Sequence, residues 1–187
     1  MTRTLGTVSL ALLVVAVAAS AQAPAPAAMK ISLAQGLQRS YNNIKMNLTE
    51  MSQKMSDADY TFQPTKDVRT FGQLMGHAAN AQFGTCAAAK GVPNPNQGND
   101  NEKKAAKAEF VKALADSFAF CDDAFASLTD ARAAEFVRQG QNEIARGAAL
   151  ANLIAHSNEV YGTAVPYMRI KGLVPPSTER ATRKPGF

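Results

Sequence analysis

The sequence predicts an all-α protein built on four long helices that pack as a bundle. Three observations carry that expectation. Apolar residues recur at three- and four-residue spacing through residues 33–55 and 146–171. Start and stop signals bracket the helical stretches, most clearly Thr70-x-x-Gln73 before the second and Gly172 after the last. Between the second and third helices lies a polar connection, residues 91–101, with Pro93, Pro95 and several Asn. A loop of that length can travel the length of a bundle, so the helices it joins need not be antiparallel neighbours.

Taken in order, the first helix spans residues 33–55, with Leu33, Leu37, Tyr41, Ile44, Leu48, Met51 and Met55 on one face. Its methionines suit adaptable core packing better than ligation. Residues 56–69 form a loop in which Tyr60 and Phe62 turn inward to close the end of the bundle. The second helix runs from Thr70 to about Lys90 and stops at Gly91; its small residues around Gly76 and Ala78 leave room at His77. The third covers residues 102–128, with Phe110, Leu114, Phe118, Cys121 and Phe125 on one side and lysines on the other. Residues 129–133 form a turn, and 135–144, interrupted by Gly140, carry no clear period. The last helix begins at Arg146, holds Pro166, which should kink it or loosen its hydrogen bonding, and ends at a left-handed Gly172 ahead of Pro175-Pro176.

The chain has 187 residues, enough for one domain with tails. Residues 1–21 read as a signal peptide: Arg3, an apolar run too short to span a bilayer, then the small-x-small site Ala19-Ser20-Ala21. The mature chain is therefore expected to begin near Gln22 and to be exported, periplasmic or secreted, with no membrane insertion after cleavage. Residues 22–30 form a flexible Ala/Pro leader, 31–177 the bundle, and 178–187 a basic tail. Loss of Arg3 lowers the formal charge from +5 to +4. That mild excess, without interleaved aromatics or a nucleic-acid motif, argues against a nucleic-acid partner. Cys86 and Cys121 form neither a Cys-x-x-Cys nor a haem-attachment motif. Export favours a disulfide joining helices two and three, with free buried thiols as the alternative.

Only two histidines occur, His77 in the second helix and His156 in the last. The stretch His156-Ser157-Asn158-Glu159-x-Tyr161-Gly162, followed by Tyr167 to Ser177, resembles the last helix of the DinB-like superfamily. Residues 59–64 and 69–77 resemble its first loop and second helix, so the likeness covers residues 33–177. It implies a four-helix bundle with a crossover between helices two and three, and a divalent metal held by three histidines. His77 matches the first ligand and His156 the second. The third position, one helical turn beyond His156, is Val160.

Two imidazoles alone leave a zinc or nickel site with low affinity and undefined geometry. Glu159 lies about 100° round the helix from Val160 and points off the site, while Asn80 and Asn152, one turn from each histidine, offer amide oxygens that such metals bind poorly. Tyr161, Tyr41 and Asn158 are candidate hydrogen-bonding partners of the imidazoles. The expectation is therefore a degenerate two-histidine site, with no cofactor or a weakly bound divalent metal (Zn or Ni). The protein is read as a non-catalytic binder of a small molecule or partner, in a pocket that includes Asn80, Asn152, Glu159, Val160 and Tyr161. The alternative the resemblance implies is a metal-dependent transferase, similar to the superfamily's thiol transferases, using His77 and His156. No oligomeric state follows from the sequence.

Overall fold

The computed structural model describes residues 28–183. The signal peptide, most of the Ala/Pro leader and residues 184–187 lie outside the described residues. Ser32 opens helix α1 (Leu33–Lys54) with a capping box: its hydroxyl accepts from the Gln35 amide, and the Gln35 side chain accepts from the Ser32 amide. One face then buries Tyr41, Ile44, Leu48 and Met51 at helical spacing. A 3-10 turn, Ala58–Thr61, carries Tyr60 into the end of the bundle, where its ring meets Phe71 at 5.1 Å and Phe110 at 5.7 Å between centroids. Phe62 follows it inward, edge-on to Tyr167 at 5.9 Å.

The Thr70–Gln73 capping box forms as expected and opens α2 (Phe71–Lys90). Gly91, at φ 68°, ends it: the Val92 amide reaches the Ala87 carbonyl at 3.0 Å and Gly91 that of Ala88 at 3.1 Å. This paired closure needs a left-handed residue, which glycine supplies without strain.

The connection then runs back along α2, and the Asn101 backbone comes to rest on Gly76 near that helix's start. The third helix therefore begins at the same end as the second and runs parallel to it. Phe110 packs on Gly72 near both starts, and Cys86 is bonded to Cys121 near both ends. The sequence places the third helix at residue 102, whereas α3 is Lys107–Ala126. Asn101–Lys103 is instead a separate 3-10 turn capped by Asp100. The true start is set by Glu109, whose carboxylate accepts from the Ala106 amide at 2.9 Å.

Helix α1 runs antiparallel to α3, since Gln38 donates to the carbonyls of Phe125 and Leu128 at one end and Lys107 donates to that of Gln53 at the other. Thr129 caps a short helix, α4 (Asp130–Ala134). The stretch without a clear period is a hairpin: β1 (Phe136–Gln139) pairs antiparallel with β2 (Asn142–Ala145), Phe136 opposite Ala145, around a turn in which Gly140 has φ 63°. Four-residue strands are too short to show period-2 alternation against a helical background.

Helix α5 (Arg146–Ile170) runs uninterrupted through Pro166, which leaves the Gly162 carbonyl without its intrahelical donor. Gly172, at φ 73°, closes it with bonds from Leu173 to Met168 and from Gly172 to Arg169. The segment read as leading into a solvated basic tail forms a further helix, α6 (Pro176–Thr182). It is docked on α1 by Lys54–Glu179 and Arg180–Glu50 ion pairs, and Ser177 is held by the Tyr161 hydroxyl. Neither ion pair is legible in the sequence, since the partners lie 125 and 130 residues apart. Among the described residues, no helix is long and apolar enough to cross a membrane.

Candidate histidine site

The bundle brings His77 of α2 and His156 of α5 together across the seam between those helices. Their ring centroids lie 4.9 Å apart, inclined at 70°. The side chains are 28% and 33% exposed, so the pair sits at the bundle surface rather than in its core. The same seam is pinned by a buried hydrogen bond from the Gln82 amide to the Ser157 hydroxyl, 3.0 Å. Neither Gln82 nor Ser157 stands out in the sequence, since nothing in it distinguishes a buried polar pair from a solvated one.

The partner of His77 comes from the crossover. Its Nδ1 lies 2.7 Å from a Glu102 carboxylate oxygen, and the other oxygen accepts from Arg69 Nε at 2.8 Å. An ionised carboxylate only accepts, so the proton of a neutral His77 sits on Nδ1 and its Nε2 lone pair is free. Arg69 is held in turn by Tyr167 of α5, whose hydroxyl donates to the Arg69 carbonyl at 2.8 Å.

Asn80, expected to line a pocket, ties this loop down. Its oxygen accepts from the Asn101 backbone at 3.1 Å and side chain at 2.9 Å, and its amide donates to Asp100 at 3.0 Å. Asp100 accepts from the Glu102 amide at 3.0 Å, and this bond, with that from Asn80, holds its carboxyl below the usual carboxylate range. The chain of contacts from Asn80 through Asp100 thus aims Glu102 at His77.

The other expected pocket residues do not converge. Asn152 is exposed, and the Glu159 side chain is 77% exposed, with its carboxylate 3.7 Å from His156 Nδ1. Val160 is 4% exposed within the hydrophobic core. Tyr161 turns its hydroxyl to Ser177, Tyr41 to Phe118 and Asp122, and Asn158 to the Ile154 carbonyl. None of these three serves an imidazole.

Burial, and then the neighbouring His77, depress the pKa of His156, with Glu159 opposing. A depressed imidazole binds fewer protons in the folded state than in the unfolded one. Its contribution is present above the unfolded value near 6.5 and is lost as pH falls through the lower folded value. Unfolding midpoints should therefore decline as pH is taken from 7 toward 5, and His156→Gln should flatten that decline; an unchanged slope would mean His156 titrates normally.

A zinc ion shared by two imidazole nitrogens at about 2.0–2.1 Å sets ring centroids about 5 Å apart, so the spacing of the pair suits one ion. The donor set does not. Among the described residues no group of three His, Cys, Asp or Glu side chains could hold a metal ion. Glu102 is occupied by the far nitrogen of His77 and by Arg69, and Val160 offers no lone pair. The residues present do not make the three-ligand centre that zinc and nickel require.

A model of the DinB superfamily matches residues 42–164. A DinB-like protein from Bacillus cereus ATCC 10987 is similar in structure, with a TM-score of 0.65 and 16% identity over 76% of this chain and 95% of that one. A conserved protein from Enterococcus faecalis superposes with a TM-score of 0.60 and 17% identity, covering 76% and 97%. No curated protein matches the sequence. At such identities the two structures speak for the fold alone, but the family match covers well over half of the chain. With its parallel second and third helices, crossover loop and paired histidines, this chain belongs to the DinB superfamily.

Proposed function

We propose that this protein is an exported, non-catalytic member of the superfamily, a binder of a small molecule or partner whose histidine site has too few donors to hold zinc or nickel tightly. The observation that carries this reading is the residue one turn beyond His156: a valine, buried in the hydrophobic core, stands where the superfamily resemblance implies the third ligand. The amide of Asn80 and the carboxylate of Glu102 are both spent on holding the crossover loop and orienting His77, so neither is a spare donor.

The alternative, a divalent-metal-dependent transferase of the thiol-transferase kind, draws on one specific contact. A carboxylate on the far nitrogen of a histidine is the usual partner of a metal-ligating imidazole, and Glu102 stands in that relation to His77. It still needs a third ligand that the described residues do not bring.

Elemental analysis of untagged protein from the envelope fraction decides between the two. The binding reading predicts far less than one zinc or nickel per chain; stoichiometric metal supports the transferase. The intact mass of the same sample reports export, since the signal-peptide reading predicts a chain beginning near Gln22.

A further inference from the structure

The β-hairpin carries backbone polarity that the bundle does not use. In an antiparallel pair, opposed residues alternate between those that exchange hydrogen bonds and those whose amides and carbonyls point outward. The Arg146 amide reaches the Glu135 carbonyl at 2.8 Å, which makes these two a bonded pair and fixes the phase. Along the register, Val137 then bonds with Ile144 and Gln139 with Asn142, while Phe136 and Arg138 stand opposite Ala145 and Glu143 without bonding to them. The amides and carbonyls of Phe136 and Arg138 therefore point away from β2. Among the described residues, no hydrogen bond engages them.

That free edge borders a groove of about 540 Å³ between β1 and the closing turn of α2. Phe136, Val137 and Arg138 line one wall and Ala88, Val92 and Pro93 the other, with no residue of β2. Native edge strands are commonly covered, bulged or guarded by proline. Strand β1 has neither bulge nor proline, and its Phe136 is 72% exposed. Charge selects the occupant. Lys90 is paired with Asp123 and the Phe120 carbonyl, and Arg146 with Glu135, so neither is free. Arg138 is exposed, its Nε reaching the Gly140 carbonyl at 3.4 Å, and no carboxylate lines the groove.

We propose that β1 takes up an extended acidic peptide as a third strand, antiparallel to it. Phe136 and Arg138 would exchange backbone bonds with two residues of the peptide, whose acidic side chains share the outer face with Arg138. The small apolar residue between them turns inward with Val137, toward the α2 wall. An extended chain is the occupant whose alternating amides and carbonyls match those of the edge. The site shares no residue with the histidine pair, so peptide binding and metal content are tested by separate measurements.

The probe is an acetylated, amidated hexapeptide of alternating valine and glutamate. In hydrogen exchange on the full protein, the amides of Val137 and Gln139 should be slow and those of Phe136 and Arg138 fast. Peptide at ten times its dissociation constant should slow the latter two about tenfold. Methylating the glutamate nitrogens, which face β1, should weaken binding by about tenfold or more, whereas methylating the valine nitrogens should leave it unchanged. Replacing glutamate by lysine should weaken it severalfold, and Arg138→Glu should reverse that preference. Arg138→Pro removes one outward amide at an edge position, where proline is tolerated, and should cost about fivefold. Should that variant lose the hairpin, the two methylated peptides still decide. Absence of saturable binding, protection centred on other amides, equal loss from either methylation, or indifference to charge would each overturn the proposal. Protection of Phe136 and Arg138 that grows with protein concentration alone would assign the edge to a second copy of this chain, and would overturn it too.

Discussion

The double variant Cys86→Ala/Cys121→Ala is expected to lose about 4 kcal/mol of stability, the loop-closure entropy of a bridge spanning 35 residues. The two Cα atoms lie 5.3 Å apart, inside the span a disulfide allows, and both cysteines are fully buried. The bridge staples the parallel pair α2 and α3, so it closes a loop that includes the crossover between them and limits the freedom that segment gains on unfolding. For a chain of this size the loss corresponds to a melting temperature lower by about 10 °C. Ellman titration of denatured, unreduced protein should find no free thiol. Two free thiols, or a variant as stable as wild type, would contradict the bridge or its role.

Gly76→Ala should be the most damaging single change at the histidine site, at about 3 kcal/mol, because added core volume here meets backbone that cannot rotate away. A Cβ at residue 76 would fall 2.4 Å from the Asn101 carbonyl oxygen and 2.8 Å from the Glu102 nitrogen. The crossover turn must lift off α2, and Glu102 goes with it. Two readouts should change together: the denaturation midpoint, and the hydrogen-bonded Nδ1 proton of His77 in NMR spectra. Gly84→Ala on the same helix is the control. Nothing lies within 4 Å of its Cβ position, so there the usual helical preference for alanine should add roughly 0.5–1 kcal/mol.

The contrast between those two glycines marks what the sequence could and could not reveal. Helix starts and stops were legible because their signals are local: Thr70 with Gln73, Gly91 and Gly172 each act within a few residues. The approach of His77 to His156 was legible through the family resemblance. Glu102 was not, because it sits in a helix-like run, Asn101-Glu102-Lys103-Lys104, whose separation from α3 depends on Asp100 and Asn80 capping a turn from outside it. An Asn one turn from His77 and an Asn-rich loop ending in Asp100 were the available hints. The docking of α6 was hidden for a similar reason, since Glu50 and Arg180 read separately as ordinary surface charges.

The degenerate-site reading turns on Val160, and a calorimetric zinc titration of wild type beside Val160→His is its most direct test. The wild type should bind weakly or not at all. Val160 is buried, so without metal the variant should be less stable by about 1–3 kcal/mol, the cost of an unpartnered imidazole in core. With zinc it should bind at one ion per chain and tighter by orders of magnitude, because residues 156 and 160 lie one turn apart on one helical face and His77 supplies the third nitrogen. Tight stoichiometric binding by the wild type would contradict the degenerate-site reading, and a variant with no gain would mean that position 160 does not face the histidine pair.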